Sequence, residues 1–231
     1  MLVVLNNKCN FNRNEFEIYL DKLKKINTKN NIVLCPSYIY LSNKGLNDLV
    51  IGSQDVSKYT EGAHTGEVSA RQLKYLNVKY TIVGHHERRS EEYELSSDIS
   101  QKIKNLLKEK ITPILCIGET DEERINLDYK TILMEELKED LRTLSQKQKD
   151  KIIIAYEPIW CIGKKQIPSI REIDEVISLI KENYPNNKVL YGGGVNNKTI
   201  ISLNKLNKVD GYLLGKISLD AKKLERLLNN I

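Results

Sequence analysis

Glu157 is a candidate general base. It stands in the segment 155–160 (AYEPIW), directly after the apolar run 152–154. Its apolar and aromatic neighbours would keep water from the carboxylate, and such burial raises a carboxyl pKa toward the range that a general base needs. A structural carboxylate that pairs with a lysine is the alternative interpretation of this residue.

His85 and Lys8 could act on the same reacting group. His85 follows the apolar segment 80–83, and a helix beginning near His86 would disfavour a protonated imidazole at its positive end. A neutral imidazole could donate a hydrogen bond to a carbonyl oxygen, although a packed histidine is the simpler interpretation. Lys8 follows the apolar segment 2–5 and could hold an anion, although a solvated surface position is the default for a lysine.

Eight short apolar stretches, with helical patterns between them, must position these groups. They are residues 2–5, 32–35, 49–52, 80–83, 112–117, 151–156, 188–191 and 212–214. Eight strand–helix units close into a (β/α)8 barrel, in which the residues after the strands gather on one face. We therefore predict one α/β domain over residues 1–231. A doubly wound open sheet is the alternative, but no Gly-x-Gly-x-x-Gly follows the first strand.

Two glycine clusters follow the last two predicted strands. Gly192, Gly193 and Gly194 come after residues 188–191, and Gly215 ends the segment 210–215. Glycine lets backbone amides approach a ligand closely, and phosphate commonly binds between the loops after strands 7 and 8 of a barrel. Either cluster alone could be a tight turn, but together they predict a phosphate site.

Helix boundaries can be predicted in two further places. Ser218 is of a type that caps helices and precedes the apolar stripe Leu224, Leu227 and Leu228, so we expect it to cap the last helix. The charged stretch 120–149 is expected to hold one long helix or two consecutive helices.

Composition favours a soluble globular protein. Of the 231 residues, 40% are hydrophobic and 29% are charged. The net charge of +5 comes from lysines scattered among glutamates, which is typical of solvated helices. We therefore expect no nucleic-acid partner, although a mild positive excess suits a small anionic substrate. No apolar run is long enough to span a bilayer, and residues 1–5 are too short for a signal peptide, so no membrane partner is expected.

The cysteines indicate a reducing compartment. Cys9, Cys35, Cys116 and Cys161 lie far apart, without a C-x-x-C pair or a histidine at metal-binding spacing. We expect a cytoplasmic protein without a metal site.

Seven segments along the whole chain together resemble the triosephosphate isomerase family. They are residues 6–10 (NNKCN), 62–69 (GAHTGEVS), 83–89 (VGHHERR), 116–119 (CIGE), 155–160 (AYEPIW), 191–193 (YGG) and 210–215 (DGYLLG). Each segment is moderately specific, and their shared order and spacing leave little room for chance. The resemblance implies a TIM barrel.

The resemblance also implies an aldose–ketose isomerase of glycolysis and gluconeogenesis. Such an enzyme interconverts dihydroxyacetone phosphate and D-glyceraldehyde 3-phosphate through an enediolate. Glu157 would move a proton between two carbons, and a neutral His85 would polarise the carbonyl, as is known for this family. Lys8 and Asn6 would stabilise the developing negative charge. No cofactor is implied, because proton transfer alone suffices.

Further roles follow from the same resemblance. The residues that would support the catalytic groups are Glu87, as a partner of Lys8, together with His86 and Cys116. The residues that would hold phosphate through their backbone amides are Gly163, Gly193, Gly194, Gly215 and Lys216. The residues that would bound a closing lid over the site are Pro158, Ile159, Trp160 and Pro168. The residues that would lie in a homodimer interface are Gln54, Thr65, Glu67 and Arg88.

Several residues depart from the family's usual pattern. His86 and Gly194 each stand where a serine is usual, and Lys216 replaces a glycine. The segment 162–168 lacks the usual Gly-Lys-Thr tip of the lid. These changes predict weaker binding of the substrate phosphate and more elimination of phosphate from the enediolate. The alternatives are an isomerase for another sugar phosphate, such as a four-carbon ketose phosphate, and a catalytically weak paralogue retained for binding or structure.

Overall fold

In the computed structural model of this chain, residues 1–162 and 167–231 are described. Their strands are β1 Leu2–Asn6, β2 Asn31–Cys35, β3 Val50–Ser53, β4 Tyr80–Val83, β5 Thr112–Ile117, β6 Ile153–Tyr156, β7 Lys188–Tyr191 and β8 Gly211–Leu214. Each strand pairs in parallel with its neighbours along the chain, and β8 pairs with β1 to close the barrel. The predicted (β/α)8 TIM barrel is therefore confirmed.

The strands could be predicted closely because both of their faces are buried. Parallel strands covered on both sides appear in a sequence as nearly continuous apolar runs. Each observed strand begins and ends within two residues of the predicted one. At the closure, Leu2 lies opposite Gly211 of β8 on one side and opposite Asn31 of β2 on the other.

Side chains of the strands alternate between two cores, because successive residues of a strand point to opposite faces. In β1, Leu2 and Val4 belong to a cluster of strand residues that fills the barrel interior. Val3 and Leu5 belong to the larger cluster that the barrel shares with the surrounding helices. The alternation therefore fixes which strand positions face the inside of the barrel.

The inner positions of four strands end in polar residues or glycines. In β6, Ile153 and Ala155 lie in the interior cluster, as do Leu190 of β7 and Leu213 of β8. A further step of two residues reaches the carboxyl end of the barrel, where active sites of this fold lie. The residues at these next inner positions are Asn6, Glu157, Gly192 and Gly215.

The barrel is surrounded by helices of very different lengths. Among the described residues these are α1 Arg13–Leu23, α2 Ala70–Tyr75, α3 His86–Glu91, α4 Ser96–Lys108, α5 Asp121–Asn126, α6 Tyr129–Asp140, α7 Gln146–Lys149, α8 Ile170–Asn183, α9 Ile200–Leu203 and α10 Ala221–Leu228. Within residues 1–162 and 167–231, no helix combines the length and the apolar character that a bilayer crossing requires.

Both predicted helix boundaries differ from the structure. Asp220 caps α10 by accepting hydrogen bonds from the backbone amides of Lys222 and Lys223, each at 3.1 Å. Ser218 instead lies in the short 3-10 helix Lys216–Leu219, where its hydroxyl contacts the carbonyl oxygen of Asn6 at 3.4 Å. Ser218 therefore ties the loop after β8 to β1.

The charged stretch 120–149 contains three helices, α5, α6 and α7, where one or two were predicted. Thr120 caps α5, and Ser145 caps α7 in a capping box with Gln148. Between α5 and α6, Leu127 has an extended backbone that ends the first of them. Local capping therefore divides a stretch whose composition alone favours continuous helix.

Candidate active site

Four side chains from three parts of the barrel form a continuous series of contacts. The ammonium of Lys8, in the loop after β1, lies 2.5 Å from Oε1 of Glu87 in α3. Oε2 of Glu87 lies 3.5 Å from Nδ1 of His85, and Nε2 of His85 lies 3.6 Å from Oε2 of Glu157, just after β6. The structure therefore brings the predicted base, imidazole and ammonium to one place.

The backbone of Lys8 is held in an uncommon conformation. Its φ of 51° lies in the left-handed region, which costs a non-glycine residue free energy. Three side chains compensate: Oδ1 of Asn6 accepts from the Lys8 amide at 3.0 Å, while Gln54 and Ser37 donate to the Lys8 carbonyl at 2.9 and 3.0 Å. Gln54, expected at a dimer interface, thus also supports the turn that aims Lys8.

Lys8 and Glu87 stabilise one another as a charged pair. Burial would raise the pKa of the Glu87 carboxyl, but the hydrogen bond from Lys8 and the charges around it leave that pKa below its usual value. Glu87 is thus a carboxylate near neutral pH and holds the ammonium of Lys8 beside His85.

His85 is held as one neutral tautomer. It caps α3, and its Nδ1 accepts a hydrogen bond from the backbone amide of Glu87 at 3.3 Å, so the ring proton resides on Nε2. The pKa of His85 is lowered to about 3, chiefly by burial and also by the charges of His86 and Lys8, while Glu87 acts more weakly in the opposite direction. The expected short helix beginning at His86 is present, and Glu157 is the carboxylate that lies 3.6 Å from Nε2 of His85.

Glu157 combines burial with a pKa near neutrality. Only 6% of the residue is exposed, and its backbone amide donates to the carbonyl of Ile117 at 2.9 Å. Burial raises the pKa of Glu157 to about 7, while a hydrogen bond with Cys116 and the charge of Lys8 act in the opposite direction. The carboxyl can therefore both release and accept a proton near pH 7.

Gly192 makes room for Glu157, a role that the sequence did not reveal. A Cβ at Gly192 would lie 2.6 Å from Cγ of Glu157 and 3.0 Å from its Oε1. Only glycine fits there unless the carboxylate moves. The sequence predicts that the glycine run after β7 belongs to a phosphate site. The role of its first member depends on the contact between the ends of β6 and β7, which the sequence does not show.

The other predicted phosphate residues lie at the ends of β7 and β8, apart from Gly163, which falls outside the described residues. Gly193 packs so closely against Pro158 that a Cβ would lie 2.7 Å from that ring. A Cβ on Gly215 would lie 3.7 Å from Cε of Lys8, so the loop after β8 adjoins the ammonium. Lys216 is exposed at the start of the following 3-10 helix.

Glu119 anchors the chain just after Glu157, and the sequence suggested no role for it. Its buried Oε1 accepts hydrogen bonds from Trp160 at 2.9 Å, Tyr156 at 3.1 Å and Arg124 at 3.1 Å. The Arg124 guanidinium also lies 5.3 Å from the centroid of the Trp160 ring. The 3-10 helix Ile159–Cys161 is thereby fixed to the end of β5.

The far side of the predicted lid is fixed by α8. Pro168 is buried immediately before that helix, and Ser169 and Glu172 form its capping box with bonds of 3.2 and 2.8 Å. Glu172 also pairs with Arg124, which contacts the opposite flank through Trp160. One arginine therefore links both ends of the segment that was predicted to be a lid.

The residues predicted to face a second subunit are either exposed or partly buried. Thr65 and Glu67 are exposed in the loop between β3 and α2, and Arg88 pairs with Asp55 at 3.2 Å. Residues of this loop and of α2 line an open pocket of about 520 Å³ whose lining does not include Lys8, His85 or Glu157.

One cluster in the described parts of the chain has the ligand types of a metal site. His85, His86 and Glu87 each place one potential ligand atom within 4.8 Å of the others. However, Nδ1 of His85 already accepts an amide proton, and the ammonium of Lys8 occupies Glu87 and would repel a cation. We assign no metal to this cluster.

Comparison with known proteins agrees with this geometry. The family model described as triosephosphate isomerase matches residues 1–231. The chain belongs to the triosephosphate isomerase family. It is 38% identical to the triosephosphate isomerase of Orientia tsutsugamushi (strain Ikeda), covering 100% of this chain and 97% of the relative. The corresponding protein of Dictyoglomus turgidum is 34% identical, with 89% of each chain covered.

Gly194 stands where the resemblance implies a serine, and the structure leaves no room for a side chain at this position. Its φ of +61° favours glycine, and an added Cβ would lie 2.2 Å from Cγ2 of Ile167. A serine would therefore be strained and would collide with Ile167. In this member of the family, a methyl group of Ile167 lies where a side chain at position 194 would begin.

Proposed function

We propose that this chain interconverts dihydroxyacetone phosphate and D-glyceraldehyde 3-phosphate. The observation that carries the proposal is the contact series from Lys8 through Glu87 and His85 to Glu157. It joins an ammonium, a neutral imidazole and a carboxylate of pKa about 7 at one mouth of the barrel. This combination suits abstraction of a proton next to a carbonyl.

The proposed reaction moves protons only. Glu157 removes a proton from the carbon next to the carbonyl, the C–H electron pair forms the carbon–carbon double bond, and the carbonyl π electrons pass to oxygen. Nε2–H of His85 donates to that oxygen, and Lys8 and Asn6 stabilise its charge. His85 then exchanges protons between the two enediolate oxygens while Glu157 returns its proton to the other carbon.

We propose that backbone amides of Gly193, Gly194, Gly215 and Lys216 hold the phosphate group. The position of Gly215 beside Lys8 supports this, because it places an anion within the field of the ammonium. Gly163 remains a proposed fifth amide donor.

We also propose that Pro158, Ile159, Trp160 and Pro168 bound a lid that excludes water from the enediolate. The support is the anchoring of both flanks. Glu119 holds Trp160 on one side, and the capping box of α8 fixes the other.

The proposal is tested by a coupled assay with the purified chain and D-glyceraldehyde 3-phosphate. We expect turnover in both directions, with kcat/KM higher for the triose than for a tetrose phosphate. A preference for the tetrose would favour the other sugar-phosphate isomerase, the alternative that the altered lid segment 162–168 suggests. A folded chain that acts on neither would favour a binding or structural paralogue.

The pH dependence should reveal the base. Because burial raises the pKa of Glu157 to about 7, kcat/KM is expected to fall about tenfold per unit as pH drops below 7, where the carboxyl becomes protonated. His85 should not contribute, since its pKa of about 3 keeps it neutral throughout. The measurement is kcat/KM from pH 5 to 9, corrected for the substrate phosphate, which titrates near pH ~6. A profile flat through pH 7 would contradict this assignment of the base.

We propose that the protein is a homodimer. Support comes from exposed apolar side chains, notably Ile39 at 76% and Tyr59 at 40% exposure, since such groups often mark association surfaces. Ile39 follows Tyr38, whose pKa is raised chiefly by burial and is also affected by the charges of Arg88 and Glu67.

Light scattering should give twice the mass of one chain. Ile39→Asp is expected to shift the protein to monomers, whereas Ile201→Asp, at an exposed position of α9, should leave the dimer intact. A monomeric unmodified chain would refute the proposal.

We further propose a cytoplasmic location. None of the four described cysteines forms a disulfide, which suits a reducing compartment. Cell fractionation tests this, and recovery of the protein in an oxidising compartment would contradict it.

A further inference from the structure

Asn7 is a buried polar residue that the proposed reaction does not use. It lies between Asn6 and Lys8, directly after β1, and only 1% of the residue is exposed. Its backbone is fixed, because its amide donates to the carbonyl oxygen of Cys35 at 3.1 Å and its carbonyl oxygen accepts from the Asn10 side chain at 2.8 Å. The side chain of Asn7 therefore starts from a well-defined position.

The side-chain amide of Asn7 links the loop after β1 to the loop after β8. Its Nδ2 donates to the buried hydroxyl oxygen of Ser218 at 3.3 Å. That hydroxyl contacts the carbonyl oxygen of Asn6 at 3.4 Å, and the backbone amide of Ser218 donates to the carbonyl oxygen of Gly215 at 2.9 Å. Two residues 211 positions apart in the sequence are thereby joined close to Gly215, one of the proposed phosphate-binding residues.

The same two loops also meet on the side that carries the ammonium of Lys8. A Cβ on Gly215 would lie 3.7 Å from Cε of Lys8, so the loop after β8 and the lysine side chain are close neighbours. The φ of Lys8 is 51°, an uncommon conformation that persists only where the surroundings support it. Because Asn7 directly precedes Lys8, a shift of Asn7 would move the ammonium relative to Gly215.

The oxygen of the Asn7 amide lies close to a second group, the hydroxyl of Tyr19 in α1. Both atoms are buried, and neither has a well-formed hydrogen bond with the described protein groups. Burial raises the pKa of Tyr19 to about 12, whereas the Asn7 side chain acts in the opposite direction as a hydrogen-bond partner. An amide oxygen accepts and a hydroxyl donates, so a small rotation pairs the two atoms. Such pairing is strongly favoured in a protein interior, where an unpaired polar atom is costly.

Tyr19 is itself held in place by aromatic packing. Its ring stacks on that of Phe11, with 4.9 Å between the ring centroids. Phe11 has a φ of 72°, and its carbonyl oxygen accepts a hydrogen bond from the hydroxyl of Tyr40 at 2.9 Å. The Asn7 amide therefore has fixed neighbours on both sides, Tyr19 of α1 and Ser218 of the 3-10 helix after β8.

We propose that Asn7 is a positioning residue that fixes the Lys8 ammonium relative to the phosphate-binding loop after β8. Its amide does so through Ser218 and Tyr19, without touching the substrate. Naming this loop as phosphate-binding rests on the proposed function. A phosphate held in the loop would place the rest of the substrate at a set distance from the ammonium, and a misplacement of about 1 Å can cost about 10²-fold in rate.

The test replaces Asn7 by leucine, which has a similar size and lacks both polar atoms. Asn7→Leu is expected to weaken the binding of glycerol 3-phosphate about tenfold, the effect of about one hydrogen bond, as measured by calorimetry. With the triose phosphates, KM should rise and kcat should fall, because both the phosphate loop and the ammonium are displaced. Ser218→Ala removes the partner of Nδ2 and should cause similar losses. If the two residues act as one link, the double variant should lose little more than either single variant.

Asn187→Leu is the matched control. Asn187 is 2% exposed, its Nδ2 donates to the carbonyl oxygens of Lys149 and Ile152 at 2.7 and 2.8 Å, and its Oδ1 also lacks a partner among the described groups. It lies directly before β7, at the end of the barrel opposite to the site. Its replacement should lower the thermal stability, as Asn7→Leu also should, but should leave the affinity for glycerol 3-phosphate, KM and kcat unchanged.

Unchanged affinity and kinetics in Asn7→Leu would overturn the inference, and so would additive losses in the double variant. Equal losses in Asn7→Leu and Asn187→Leu would also contradict it, since they would reflect general destabilisation. If Asn7→Leu fails to fold, Ser218→Ala decides by the same measurements.

The binding measurements separate this inference from the proposed function. A chain that binds glycerol 3-phosphate but does not isomerise trioses would count against the proposed function alone, and the affinities of the variants would still judge the role of Asn7. Normal turnover in the unmodified chain and in Asn7→Leu would count against this inference alone. Absence of glycerol 3-phosphate binding by the unmodified chain would overturn both.

Discussion

Replacing Glu157 by glutamine is expected to lower kcat by about 10²–10⁴-fold, the usual loss when a general base is removed. The amide keeps the size of the side chain in the space left by Gly192, so the fold and the site should persist. The amide cannot accept the carbon-bound proton. Because only the chemical step is affected, KM should change little. Steady-state kinetics with both triose phosphates measure the effect.

Glu182→Gln is the matched control, since Glu182 is exposed on α8 and faces solvent. It should leave kcat unchanged. Binding of glycerol 3-phosphate, which carries the phosphate but no carbonyl, should be retained in Glu157→Gln and would show that the site is intact. Near-normal turnover by Glu157→Gln would refute the assignment of the base.

Lys8→Met is expected to lower kcat by about 10²–10³-fold, the typical cost of removing one preorganised group that stabilises transition-state charge. KM should rise as well, because the ammonium also attracts the phosphate before reaction. The pKa of Glu157 should rise, since the charge of Lys8 now lowers it. Glu87 would lose its partner, 2.5 Å away, and its own pKa should move upward.

The matched control for this change is Lys151→Met. Lys151 is exposed just before β6, at the end of the barrel opposite to the site, so the same charge is removed far from the substrate. Its kcat and KM should equal those of the unmodified chain. Equal losses in the two variants would indicate general steering by net charge and would contradict a local role for Lys8.

Much of the barrel was predictable because its strands are apolar on both faces and short enough to stand out between charged helices. Glu157 and His85 were identifiable for a related reason: each is a polar residue that follows such a strand. The pairing of Lys8 with Glu87 joins residues 79 positions apart, and it was expected only through a family resemblance. The pattern of apolar and charged residues along the chain does not predict this pair.

Other features depend on three-dimensional proximity and could not be predicted. Ser218 and Asp220 are both of a type that caps helices. Ser218 lies within the 3-10 helix between β8 and α10, so Asp220 is the residue that caps α10. The role of Glu119 depends on its contacts with Trp160 and Arg124, which lie apart from it in the sequence.

The inward-facing positions of β1, β6, β7 and β8 end in Asn6, Glu157, Gly192 and Gly215. Because inward- and outward-facing positions alternate along a strand, this arrangement restricts which insertions and deletions the protein can tolerate during evolution. Deleting one residue within β6 would turn Glu157 outward and put Pro158 in its place, and adding one residue would put Tyr156 there. Such indels would abolish the chemistry at once, whatever their effect on stability. Variation in length must therefore accumulate in the connecting loops and helices, and strand length is fixed by the reaction as much as by the fold.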